Sequence, residues 1–231
     1  MARHAKHLER EIENLKGMIL ALGNDVEASV KRSVRSLTRR DSVLALKIID
    51  ADFDIDQMEV DIEEECLKIL ALHQPVANDL RLIIAILKIN NDLERIGDLA
   101  VNIAERAVYL STHEKFEFPF DLQDMAEKAQ EMLNGCLDAM VNLDTELAKK
   151  VCKSDDEVDE MNREAHSLVE ARIRQNPEQL NSMIQFLSAS RYLERVADHA
   201  TNIAEDVIYL VDGDIIRHSS QTTPNKSEYS G

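Results

Sequence analysis

Apolar residues recur along this chain at intervals of three and four, with no sustained alternation, a spacing that predicts helix almost from end to end. Caps and breakers divide the run into six. The first predicted helix runs from about His7 to Arg39, and Asp41 and Ser42 look like a cap for a second that continues to about His73. "HQPVAND" around Pro75 is a short turn, followed by a third helix over about Asn78 to Leu110. "STHEKFEFPF", 111–120, breaks the pattern with Pro119. Beyond it lie helices over about Asp121 to Asn142, Thr145 to Gln175 and Pro177 to Val211. The last opens on a proline, whose missing N–H is not needed in a first turn. The polar residues after Gly213 read as a frayed tail. Six glycines, four prolines and 4% aromatics agree with an all-α chain.

The six segments form two halves of three. "LERIGDLAVNIAERAVYL", 93–110, returns as "LERVADHATNIAEDVIYL", 193–210, and "DFDIDQM", 52–58, stands opposite "DDEVDEM", 155–161. The offset is 103 before the turn and 100 after it, so the second half has lost three residues in the loop between its second and third helices. The expected divisions are a first repeat over 1–115, a second over 116–212 and a tail over 213–231.

Each half holds two acid pairs spaced four apart. Asp52 and Asp56 precede Glu94 and Asp98, and Asp155 and Asp159 precede Glu194 and Asp198. Consecutive long helices joined by a short turn pack antiparallel, so level residues have numbers that add to a constant. About a turn centred on residue 75, Asp52 falls level with Asp98 and Asp56 with Glu94. About a turn between Asn176 and Pro177, Asp155 falls level with Asp198 and Asp159 with Glu194. At 100° per residue the stripe Leu82, Ile86, Ile89, Leu93, Ile96, Ala100 and Ile103 faces the core, and Glu94, Asp98, Asn102 and Glu105 gather opposite. On the preceding helix Ile55, Met58, Ile62, Cys66 and Ile69 form the core stripe, and Asp52, Asp56, Glu59 and Glu63 a separate one.

A solvated face is the plain reading of any one such stripe, since like charges four apart cost only about 0.2–0.5 kcal/mol per pair. Four carboxylates per groove, twice, at matching heights, point instead to cation sites. All-carboxylate sets suit hard ions such as Mg, Ca, Mn or Fe. Glu59, Asn102, Glu105, Asn162, Asn202 and Glu205 are candidates for further ligands. His166, on the stripe position of Glu63, is either a surface histidine or a nitrogen ligand. The inward Glu-x-x-His of ferritin-type di-iron sites is absent from the stripe.

Charge narrows the partners. A net charge of −17 repels nucleic acid and anionic lipid unless a basic patch intervenes. The best candidate, Lys31, Arg35 and Arg39 on one helical stripe, reads as a solvated helix end or a docking patch for an acidic partner. No window approaches the ~20 apolar residues of a membrane span, and the start has no apolar signal region, so a cytoplasmic location is expected. Cys66, Cys136 and Cys152 read as small core residues.

The segments "QPVANDLRLIIAILKINNDLERIGDLAVNIAE" and "YLERVADHATNIAE", with the paired "DFDID" and "DDEVD", resemble the PhoU family over nearly the whole chain, to about residue 212. That resemblance implies two tandem pseudo-symmetric three-helix bundles, side by side, with multinuclear iron or zinc clusters or divalent ions at the acidic motifs. Carried over, it points to Asp52, Asp56, Glu94, Asp98, Asp155, Asp159, Glu194 and Asp198. It also implies a non-enzymatic negative regulator of the phosphate response, linking the ATPase of the phosphate ABC transporter to a sensor histidine kinase, in a family that tends to form homodimers. Where Glu59 and Glu63 stand in the first half, the second has Asn162 and His166, and Arg191 replaces Asn91, so the second site should be less acidic. A helical adaptor without metal and a carboxylate–metal hydrolase are the rival readings.

Overall fold

The structure is a computed structural model describing residues 2–213, with side chains from Lys6 onward. The tail expected after Gly213 lies outside the described residues. Six helices follow in chain order: α1 (Ala2–Arg39), α2 (Ser42–His73), α3 (Ala77–Ser111), α4 (Leu122–Asn142), α5 (Thr145–Gln175) and α6 (Leu180–Asp212). Aspartates start three of them by accepting hydrogen bonds from otherwise unpaired first-turn amides. Asp41 accepts from the Leu44 amide, Asp121 from Gln123, and Asp144 from Glu146 and Leu147.

The α2–α3 reversal takes only Gln74 to Val76, with Gln74 in the left-handed region at φ 46. In the second half α6 begins later than the sequence predicts. Asn176 is held out of helical geometry at φ −135, ψ 72, Pro177–Gln179 form a 3-10 turn, and the α-helix starts at Leu180. The cause is steric, because a proline disfavours helical geometry in the residue before it.

All three helices of each half pack on one another, α3 packs on α6 and α1 on α4. Corresponding helices of the two repeats thus meet, and one hydrophobic core runs from Leu15 to Ile208 across both. A Cβ on Gly23 would lie 2.8 Å from Leu137 Cδ1, so glycine there permits the α1–α4 approach. The α3–α6 seam carries polar contacts. Lys88 Nζ reaches Asp206 Oδ1 at 3.0 Å, with the Asp206 side chain 3% exposed. Asp92 Oδ1 meets His199 Nδ1 at 2.8 Å, and Arg106 Nη1 donates to Gln185 Oε1 at 2.7 Å. As the α3 numbers rise the α6 numbers fall, so these two helices also run antiparallel.

The segment joining the repeats is anchored by aromatic packing. Phe118 stacks on Phe186 of α6 at 4.1 Å between centroids, Phe120 tilts against the same ring, and Phe116 meets Phe118 edge-on. Arg40 at the end of α1 lies 4.7 Å from the Phe116 centroid and donates to the Leu110 carbonyl at 2.8 Å, capping α3 from outside. The three cysteines are free, and burial pushes the Cys66 thiol up to about 12 and Cys152 up to about 11, which leaves them protonated and inert. Phe186 is the largest fully buried side chain and the anchor of this aromatic cluster. Phe186→Ala should therefore lower stability by about 3–5 kcal/mol, measured as a shift in the urea unfolding midpoint.

Candidate functional site

The α2–α3 register brings the first acid set together. Ile55, one residue before Asp56, is buried against α3 and sets the height of its acidic neighbours. Gly97, one residue before Asp98, makes room for the crossing. A Cβ there would lie 3.2 Å from Ile55 Cγ2 and 3.7 Å from Asp52 Oδ1. The second repeat has a buried Ala197 at this position.

Electrostatics report the pairing. Burial pushes the Asp52 carboxyl up from 3.8 to about 6, helped by the neighbouring Asp56 and Asp98 carboxylates. Glu94 is raised by burial and then by Asp98, with Asp56 and Glu59 adding to it, while Arg95 acts the other way. Glu59 is raised by burial, Glu63 and Asp56. The second set repeats the arrangement. Burial, then Asp198 and Asp159, pushes Asp155 up to about 6. Glu194 is raised by burial, Asp198 and Asp159, and Asp198 by burial and Asp159. The four carboxylates of each set, Asp52, Asp56, Glu94 and Asp98 in the first and Asp155, Asp159, Glu194 and Asp198 in the second, thus lie close enough to repel one another.

The grooves also contain cations, of which the comparison of the two halves points to Arg191 but not to Arg95 or Arg195. Arg95 folds back to place Nη1 3.3 Å from Asp98 Oδ2 and Nε 3.5 Å from Glu94 Oε2. Glu94 Oε2 is shielded from solvent and accepts no hydrogen bond. Arg191 and Arg195 oppose the rise at Glu194.

The further candidates divide. Glu59 belongs to the first set, and its backbone carbonyl accepts from Asn90 Nδ2 at 2.9 Å. In the second repeat the equivalent contact uses side chains, Ser190 Oγ donating to Asn162 Oδ1 at 2.7 Å, which engages Asn162 within the fold. Asn202 Nδ2 lies 3.5 Å from Asp92 Oδ1 across the α3–α6 seam. Asn202 and Glu205, with Lys88, Asn91, Asp92 and Asp206, line a cleft of about 530 Å³ between those helices. Glu105 pairs with Arg106 at 2.9 Å, Asn102 is half-buried and His166 is exposed.

Among the described residues, one group of three potential ligands has its ligand atoms within 4.8 Å of one another, and it lies elsewhere, at His7, Glu11 and His73. The acid sets are therefore gathered but open. Sequence reasoning missed the histidine group. The i, i+4 spacing of His7 and Glu11 and the position of His73 just before the Pro75 turn were its available signals.

The PhoU domain matches this sequence over residues 19–107 and again over 122–207. The chain belongs to the PhoU family. Its PhoU relatives include the phosphate-specific transport system accessory protein PhoU homolog of Pseudomonas aeruginosa, 39% identical, with 94% of this chain and 90% of that protein covered. The corresponding protein of Thermotoga maritima is 38% identical, with 90% of each covered. The crystal structure of PhoU from Pseudomonas aeruginosa superposes with a TM-score of 0.86 at 40% identity, over 89% of this chain and 99% of that one. The phosphate transport system regulatory protein PhoU from Streptococcus pneumoniae gives 0.81 at 29% identity, over 90% and 99%.

The raised carboxylates fix a sign for pH dependence. With folded values near 6 against an ordinary 3.8, Asp52 and Asp155 hold protons that the unfolded chain has released between about pH 4 and pH 6. Their contribution favours folding at low pH and is lost as pH rises through 6. In metal-free protein with chelator present, Asp52→Asn and Asp155→Asn should each melt above the parent at pH 7.5, with the gap shrinking toward pH 4.5. Thermal melts across that range check it.

Proposed function

We propose that this chain is an accessory regulator of the phosphate-specific transport system whose two acid sets bind metal ions. The observation that carries the reading is the doubled carboxylate arrangement, level across α2–α3 and α5–α6 and under repulsive strain in both. Asp52, Asp56, Glu94 and Asp98 would hold one site, and Asp155, Asp159, Glu194 and Asp198 the other. The donor chemistry fits hard oxygen-seeking ions such as Mg, Mn, Ca or Fe, with zinc or a multinuclear iron cluster within the family's range. Desolvated carboxylates that repel one another gain more from a cation than free surface acids do. A bound ion would supply a fixed positive charge and coordination positions for an outside ligand.

The relatives' names, accessory and regulatory protein, support a non-enzymatic role. On this reading the protein works in the cytoplasm as a homodimer. It contacts the ATPase of the phosphate ABC transporter and a sensor histidine kinase, and restrains the phosphate-starvation response. Among the described residues no helix is long and apolar enough to cross a membrane. The α1 basic stripe of Lys31, Arg35 and Arg39 is exposed and available to an acidic partner surface. A metal-free helical adaptor is the second reading, favoured by the Arg95 contacts, which already neutralise part of the first set.

Elemental analysis separates the two. Protein purified without chelator should carry bound metal, and Glu94→Ala/Asp98→Ala should lose the share held by the first repeat. Absence of metal from both proteins would leave the adaptor. For the regulatory role, a pulldown should retain the transporter ATPase and the kinase, with retention weakened by chelator or by Asp98→Ala. Unchanged retention would contradict a metal-dependent contact.

A further inference from the structure

We propose that His7, Glu11 and His73 form a separate metal site, selective for a borderline divalent ion such as zinc, cobalt(II) or nickel, that ties the start of α1 to the end of α2. His7 and Glu11 stand one turn apart on α1 and so share a face. His73 is the last residue of α2, which packs on α1. His73 is distant from the other two in sequence yet converges with them. His7 Nδ1 lies 3.3 Å from Glu11 Oε1, His73 Nε2 lies 2.5 Å from Glu11 Oε2, and the two imidazole centroids are 5.6 Å apart.

Burial and chemistry suit an ion. The His73 side chain is 6% exposed and Glu11 12%, whereas His7 is 52% exposed. Two ligands are thus fixed and desolvated, and the third closes from solvent, which provides an entry path. Bonds of about 2.0–2.2 Å in tetrahedral geometry put neighbouring ligand atoms roughly 3.3 Å apart. Each imidazole meets a different oxygen of Glu11, Oε1 for His7 and Oε2 for His73, so a turn of the carboxylate and an opening of the His73 contact by less than about 1 Å would bring the three ligand atoms around one ion. Lys68, nearby on α2, is hydrogen-bonded to Glu65 at 2.9 and 3.0 Å and feels the Glu11 charge more weakly.

Two imidazoles and one carboxylate favour a different ion from the all-oxygen grooves. Nitrogen donors suit zinc, nickel and cobalt, while magnesium and calcium prefer oxygen. Three protein ligands leave a position for water or an incoming donor. The site is independent of the acid sets, and His7 and Glu11 precede residue 19, where the family match begins. An ion bound to the folded chain alone raises its stability by mass action, so the site would act as a clamp on the first turns of α1.

The test uses the full chain, stripped with chelator and titrated with cobalt(II) and zinc. The parent, in excess magnesium to occupy the all-carboxylate sets, should take up one equivalent of cobalt with the intense visible absorption of low-coordinate cobalt, displaced by zinc, and zinc should raise its melting temperature. His7→Ala, an exposed substitution that the fold tolerates, should weaken that binding by at least about tenfold and abolish both the absorption and the zinc-dependent rise. Asp52→Asn/Asp98→Asn should keep both, so failure of the groove assignment leaves this result intact. Identical cobalt spectra and zinc-dependent melting in the parent and His7→Ala would overturn the proposal, as would a parent with neither, which would make the three residues a hydrogen-bonded cluster only.

Discussion

The short reversal between α2 and α3 is the constraint on which the first groove depends. With only Gln74 to Val76 between the helices, their relative height is fixed, and every side chain on one has a set partner level on the other. Longer loops would let the helices slide, and a shift of one turn would separate Asp52 from Asp98. The second repeat brings its acids together by a different route, through a non-helical Asn176 and a 3-10 turn at Pro177–Gln179. Register was kept while loop length and turn geometry changed.

That register places like charges together, and the rest of the bundle must tolerate it. A continuous core shared by both repeats supplies the rigidity. Within it Gly97 allows α2 to approach at the height of Asp52, and the Arg40 and Phe186 contacts hold the connection between halves against that core. The two sets are not equivalent. Arg95 bridges Glu94 and Asp98 in the first. In the second, Asn162 is engaged by Ser190, and the neighbouring Arg191 and Arg195 offset part of the repulsion.

Much of this was legible before any coordinates. Helix boundaries followed from Asp41 and Pro75, because caps and prolines act locally, whereas the capping roles of Asp121 and Asp144 came from the structure. That the acids of α2 and α3, and of α5 and α6, lie near one another followed from turn position, because two long helices and a tight reversal leave little freedom. What escaped the sequence depends on side-chain direction or on contacts between distant segments. Arg95 folds back onto acids beside it in the chain, Asn202 meets Asp92 across the α3–α6 seam, and Arg40 reaches a carbonyl seventy residues on. The start of α6 was misplaced by three residues because Pro177 opens a 3-10 turn and not the α-helix itself. The gathering of His7, Glu11 and His73 needed the α1–α2 register, which repeat alignment does not supply.

The central claim is that the level carboxylates form two cation sites, and anomalous diffraction tests it most directly. Crystals grown with manganese or iron, with data collected at the metal's absorption edge, should give peaks in both grooves, one beside Asp52 and Asp98 and one beside Asp155 and Asp198. Maps with no peak in either groove would contradict the account.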